Sequence, residues 1–157
     1  MGAVYFYHLT RSDAEQALAM LIERSLAAGW RVAVRLRETA RAEWLDQKLW
    51  LGAEDGFSAH GLAGGPHDAL QPVLLTTGAV PEGVQCLMAL DGAEVTAAEG
   101  AALERACVIF DGNDEASVAA ARAQWKALTA AGLAAQYWSE ESGRWQKKAE
   151  TAGRDPA

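Results

Sequence analysis

Cysteine is scarce in this chain, with two in 157 residues. Cys86 and Cys107 sit in the apolar runs CLMAL and CVIF, which suits buried free thiols and supplies neither a disulfide framework nor a metal-ligand pair. Histidine is scarce too: His8, His60 and His67 are scattered without ligand spacing, and for His60 a hydrogen bond that pins a loop is the plainer role. No apolar run approaches roughly 18 residues, so a membrane-spanning helix is excluded. The opening MGAVYFYHLTR lacks the basic start and small-residue cleavage site of a secretory signal, and a cytoplasmic protein is expected. Positive charge is also short, since 14 Lys and Arg against 21 Asp and Glu leave a net charge of −7. A protein that holds DNA by neutralising phosphates over its surface needs the opposite balance. Local basic clusters remain at Arg31, Arg35, Arg37 and Arg41, and at Arg144, Lys147 and Lys148, for which a solvated mixed-charge surface is the plain reading.

The motifs of catalysis are missing as well. The turn after the first apolar run, HLTRSD, has no glycine where a dinucleotide-binding fold needs close approach to a phosphate. The glycine-rich run GLAGGP (61–66) lacks the Gly-Lys-Ser/Thr ending of a phosphate loop and leads into Pro66. There is no G-x-S-x-G elbow, and neither cysteine has basic neighbours in sequence to lower its pKa. The acidic groups Glu38/Glu43/Asp46 and Asp111/Asp114/Glu115 read as helix-start charges and solvated faces, not as a two-metal carboxylate set. No catalytic residue, cofactor or metal is expected.

Half the residues are hydrophobic, and a chain of this length buries roughly 70% of its unfolded surface, which is enough for one core. VYFYH (4–8) reads as a strand. Ser12 and Glu15 have capping-box spacing for a helix starting near Asp13, whose Ala14, Ala17, Leu18, Leu21, Ile22 and Leu26 form one apolar face before Gly29 ends it. Val32, Ala33, Val34 and Leu36 make the next strand, completing a βαβ unit with parallel strands. VLLTT (73–77) and VQCLMAL (84–90) suit strands covered on both faces. A weak helix over 97–105, a strand at CVIF (107–110), a long helix capped by Asn113 or Asp114 and ended by Gly132, and a strand at LAAQYW (133–138) follow. RWQKK extends or pairs back after the SEESG turn. The expected architecture is an α/β three-layer sandwich with a mostly parallel central sheet, one domain over 1–148 and a disordered tail over 149–157.

Six tryptophans exceed what so small a core needs. Trp30 and Trp44 are assigned to structure. The stretch WLDQKLWLGAEDGFSAHGLAG (44–64) places large apolar side chains on a helix and then on a loop rich in Gly, Ala, Ser and Asp, where an aromatic is an anchor or a contact. Its pattern, L-D-x-x-L-W, a short acidic spacer, F-x-x-H and L-A-G, resembles the chi subunit of bacterial DNA polymerase III holoenzyme. The resemblance runs from VYFYHL through the late helix with Ala121, Arg122, Trp125 and Lys126.

The resemblance implies the same sheet, related in outline to nucleotide-binding folds, and a noncatalytic accessory subunit of the clamp loader in DNA replication. It implies that Trp50 and Phe57 form an apolar surface for a psi-like subunit or a helicase. It further implies that Phe110, Asp111, Arg122, Trp125 and Lys126 bind the acidic C-terminal tail of single-stranded-DNA-binding protein, so that DNA is reached indirectly. Arg122 and Trp125, three residues apart on a helix, are expected side by side, cation beside ring. Val118 stands where some members carry another basic residue. An α/β nucleotide-binding or hydrolysing enzyme is the alternative, and a direct nucleic-acid binder using Arg31 to Arg41 is a second one.

Overall fold

A computed structural model describes residues 3–11, 14–38, 40–41, 43–44, 60–62, 73–78, 80, 83–90, 92–142 and 144–151. The order is β1 (Ala3–Leu9), α1 (Ala14–Ala27), β2 (Val32–Arg35), β3 (His60–Leu62), β4 (Val73–Thr76), β5 (Cys86–Ala89), α2 (Ala97–Ala102), β6 (Arg105–Asp111), α3 (Glu115–Ala130), β7 (Ala134–Ser139) and β8 (Gln146–Thr151). These strands form one sheet ordered β3-β4-β2-β5-β6-β1-β7-β8. Every pairing is parallel except β7 with β8.

The side-chain alternation of the strands sorts the core into two layers. Tyr7 and Leu9 of β1 join Leu18, Leu21 and Ile22 of α1 on one face, together with Val34, Met88 and Ile109. Val4 and Phe6 turn the other way, to Ala121 and Leu128 of α3 with Leu87, Val108 and Phe110. A sheet covered on both faces needs strands that are apolar throughout, and β4 and β5 are buried at every position. The three-layer sandwich expected from the sequence is therefore present.

The first βαβ unit departs from the simplest form. β1 and β2 are both in the parallel part of the sheet, but β5 and β6 lie between them. These later strands are the most continuously apolar, and the centre is where burial on both faces is complete. Helix ends follow local chemistry: Gly29 and Gly132 take φ of 82° and 94°, the left-handed conformation that turns the chain out of α1 and α3. The short α2 is held by a capping box, Thr96 Oγ1 accepting from Glu99 N and Glu99 Oε1 accepting from Thr96 N, both at 3.1 Å.

Two expectations need correction. β8 continues to Thr151 and pairs back along β7, so Ala149, Glu150 and Thr151 belong to the sheet and not to a disordered tail. Trp44 is 38% exposed with the Arg41 guanidinium 4.1 Å from its ring, so its surface is covered by a cation and not by the core. Trp30, in contrast, packs against the α1-side core, and Arg105 lies 5.0 Å over its ring. Cys86 and Cys107 are buried free thiols.

Candidate protein-binding site

α3 begins at Asp114, whose carboxylate accepts from Ser117 N at 3.2 Å and from Ser117 Oγ at 2.6 Å. Those bonds favour its ionised form and hold its pKa below the usual value. Ala121 and Leu128 are buried, and Val118 and Trp125 pack half-buried beside them. This three- and four-residue stepping makes one apolar stripe. Arg122 and Lys126, one turn apart, are left exposed.

Beneath that stripe lies a cluster of rings. Trp125 meets Phe6 edge-on at 5.4 Å and Tyr137 at 6.1 Å, while Phe110 stands 6.0 Å from Tyr137 and 5.2 Å from His8. Edge-on contacts of this kind add modestly to the burial of the rings. Tyr137 is the hub, and its hydroxyl is 2.6 Å from His8 Nδ1. His8 Nε2, on the other side of the ring, faces Glu141 Oε1 at 3.8 Å. Burial raises the Tyr137 pKa, opposed by the nearby Arg122 cation and reinforced by Glu141, so the phenol is neutral at pH 7. The turn from β6 to α3 crosses directly over His8: a Cβ on Gly112 would fall 1.9 Å from the imidazole and 2.7 Å from Leu9 O. Only glycine fits there.

Of the five residues expected in a tail-peptide site, the fold gathers four around Tyr137 or on the helix above it. Phe110 is buried at the end of β6, Trp125 closes the ring cluster, and Arg122 and Lys126 project from the outer side of α3. Asp111 points elsewhere. It accepts from Asn113 N at 2.9 Å and, with Phe110, Leu9, Glu15 and Arg41, lines a cleft of about 330 Å³ at the strand ends that Arg122, Trp125 and Lys126 do not reach. The side-by-side contact of Arg122 with Trp125 is not formed. Trp125 turns inward, and the arginine sits by Tyr137. Among the described residues Arg122 makes no hydrogen bond or ion pair. Trp50 and Phe57 lie outside the described residues.

Sequence reasoning missed Tyr137 and His8. The signal was available in LAAQYW, where alternation puts Tyr137 on the α3 side and Trp138 on the α1 side, but it becomes legible only once β1 is known to pair with β7. Among the described residues no group of three His, Cys, Asp or Glu side chains is placed to hold a metal ion, and no helix is long and apolar enough to cross a membrane.

A family model described as DNA polymerase III chi subunit, HolC, matches residues 1–136. No curated protein matches the chain.

Proposed function

Because the chain belongs to the DNA polymerase III chi-subunit family, and so is an accessory subunit of that polymerase in DNA replication, we propose that it is a noncatalytic adaptor. In this reading it links the clamp loader to coated single-stranded DNA by binding the acidic C-terminal tail of single-stranded-DNA-binding protein. The observation that supports it most is the exposed Arg122 guanidinium, without a hydrogen-bonded partner among the described residues, beside the ring cluster of Tyr137, Trp125 and Phe110. A terminal carboxylate needs a cation, and the phenyl ring before it needs an apolar contact. Lys126 adds charge one turn away, while Asp111, turned towards the strand-end cleft, takes no part in this contact.

Trp50 and Phe57 form the second contact in this proposal, to a psi-like clamp-loader subunit or a helicase. Tryptophan is the residue type most enriched at binding hot spots. Trp50→Ala with Phe57→Ala should abolish that contact and leave cooperative unfolding intact. Loss of the cooperative transition would make both residues core. The cytoplasm is the compartment where such an adaptor works.

Fluorescence-anisotropy titration of a labelled tail peptide with the purified chain tests the first contact. Saturable binding is expected, weakened by removing the terminal Phe and by raising salt as the screening length shrinks from about 10 Å at 0.1 M to about 3 Å at 1 M. No saturable binding at any ionic strength would contradict the reading.

A further inference from the structure

The last hairpin carries an irregularity that changes which side of the sheet one lysine faces. β7 and β8 pair Tyr137 with Ala149 and Trp138 with Lys147, and the register shifts between these pairs, leaving Lys148 as the extra residue. Residues opposite one another across an antiparallel pair share a face. Ala149 therefore lies with Tyr137 on the α3 side. Lys147 lies with Trp138 on the α1 side, where its Nζ meets Glu150 Oε2 at 3.1 Å and Gln136 Nε2 donates to the same oxygen at 2.8 Å. In an unbroken ladder Lys148 would face Trp138 on that α1 side. The bulge releases it instead, and its Nζ reaches Gln146 Oε1 at 3.4 Å. Gln146 pairs with Ser139, two residues from Tyr137 and so on the α3 side.

Lys126, Arg122 and Lys148 thus share one side of a protein whose net charge is −7, with Tyr137 between helix and hairpin. Glu141, which acts on Tyr137 together with Arg122, faces His8. Glu150 is turned to the other side by Gln136 and Lys147. Exposed cations concentrated against the overall sign attract an acidic segment and fix its direction more than they deepen its affinity. β8 lies one strand spacing, about 5 Å, from β7. Tyr137 lies beside Arg122 and opposite Ala149, the neighbour of Lys148, so a peptide extending at about 3.4 Å per residue from a carboxylate on Arg122 needs only a few residues to reach β8.

We propose that Lys148 is a specificity contact for the acidic residues that precede the C-terminus of the tail peptide, while Arg122 holds the terminal carboxylate. This rests on the tail-binding reading above and extends it to a residue beyond the 1–136 matched by the family. The test uses two labelled peptides with the same free C-terminal phenylalanine, one with aspartates upstream and one with asparagines in their place. Each is titrated by anisotropy into the full chain and into Lys148→Ala, Lys147→Ala and Arg122→Ala, with circular dichroism as the check on folding. Lys148→Ala should weaken the aspartate peptide about three- to tenfold and leave the asparagine peptide unchanged. Lys147→Ala should change neither, and Arg122→Ala should weaken both. Equal effects of Lys148→Ala on the two peptides, no effect on either, or an equal loss from Lys147→Ala would overturn the inference while leaving the Arg122 contact standing. Failure of the unaltered chain to bind either peptide would overturn both.

Discussion

Two arginines, one at the end of β2 and one on α3, show how the same side chain serves different ends. Arg35, at the end of β2, is 12% exposed and has its donors engaged: Nε to Gly78 O at 3.0 Å, one terminal nitrogen to Glu94 O and Glu99 Oε1, both at 2.8 Å, and the other to Glu99 Oε2 at 2.5 Å. It ties β2 to α2 and to the chain on either side. Arg122 is exposed on α3 and has no such partner among the described residues. A guanidinium satisfied internally is a latch; one left unsatisfied beside an apolar cluster is available to a ligand. The same contrast bears on direct DNA binding through Arg31 to Arg41, because Arg35 is committed to Glu99 and Arg41 lies between Glu15, at 3.4 Å, and the Trp44 ring.

If the latch reading is right, Arg35→Ala should lower stability by about 2 kcal/mol, since it leaves the partly exposed Glu99 carboxylate and two carbonyls without their donor. Urea unfolding measures this, and a loss under about 0.5 kcal/mol would erase the contrast with Arg122. A smaller effect is expected from Tyr137→Phe, which removes the hydroxyl bonded to His8 and should cost about 1 kcal/mol in the same assay with a few-fold loss of peptide affinity. A cost confined to affinity would make the hydroxyl a ligand contact alone.

Acid should act on the latch as well. The Arg35 hydrogen bonds lower the Glu99 pKa from 4.5 to about 2. A carboxylate whose folded pKa is depressed stabilises the fold above its unfolded value, and that contribution fades as pH falls from about 4.5 towards 2. With Glu99 partly exposed, about 1 kcal/mol survives screening. Glu99→Gln should flatten this part of the stability profile, and a profile of unchanged slope would locate the acid sensitivity elsewhere. The smallest effect is expected from millimolar ATP or NAD, for which calorimetry should register no saturable heat, because the turn after β1 offers no glycine to a phosphate. A saturable isotherm would revive the enzyme alternative.

Much of the fold was legible because periodicity and capping are local. The apolar stripe of α1, the Asp114 cap and the Gly132 stop are written in neighbouring residues. The placement of β5 and β6 between β1 and β2 was not, since it depends on competition among strands for the centre of the sheet. The site divides in the same way. Arg122 and Lys126 follow from helical spacing, whereas Tyr137 and His8 meet through 129 residues of intervening chain. The inward turn of Trp125, away from Arg122, depends on the space Phe6 and Tyr137 leave beneath α3. The bulge that redirects Lys148 has no sequence mark that distinguishes it from a regular hairpin.

The central claim is that Arg122 is a binding group and not part of the architecture. Titrating the labelled tail peptide into Arg122→Ala, with the unaltered chain alongside, tests it most directly. The account predicts a ten- to hundredfold loss of affinity, about 1.5–3 kcal/mol, in a protein whose urea midpoint is unmoved. Affinity equal to that of the unaltered chain would contradict it.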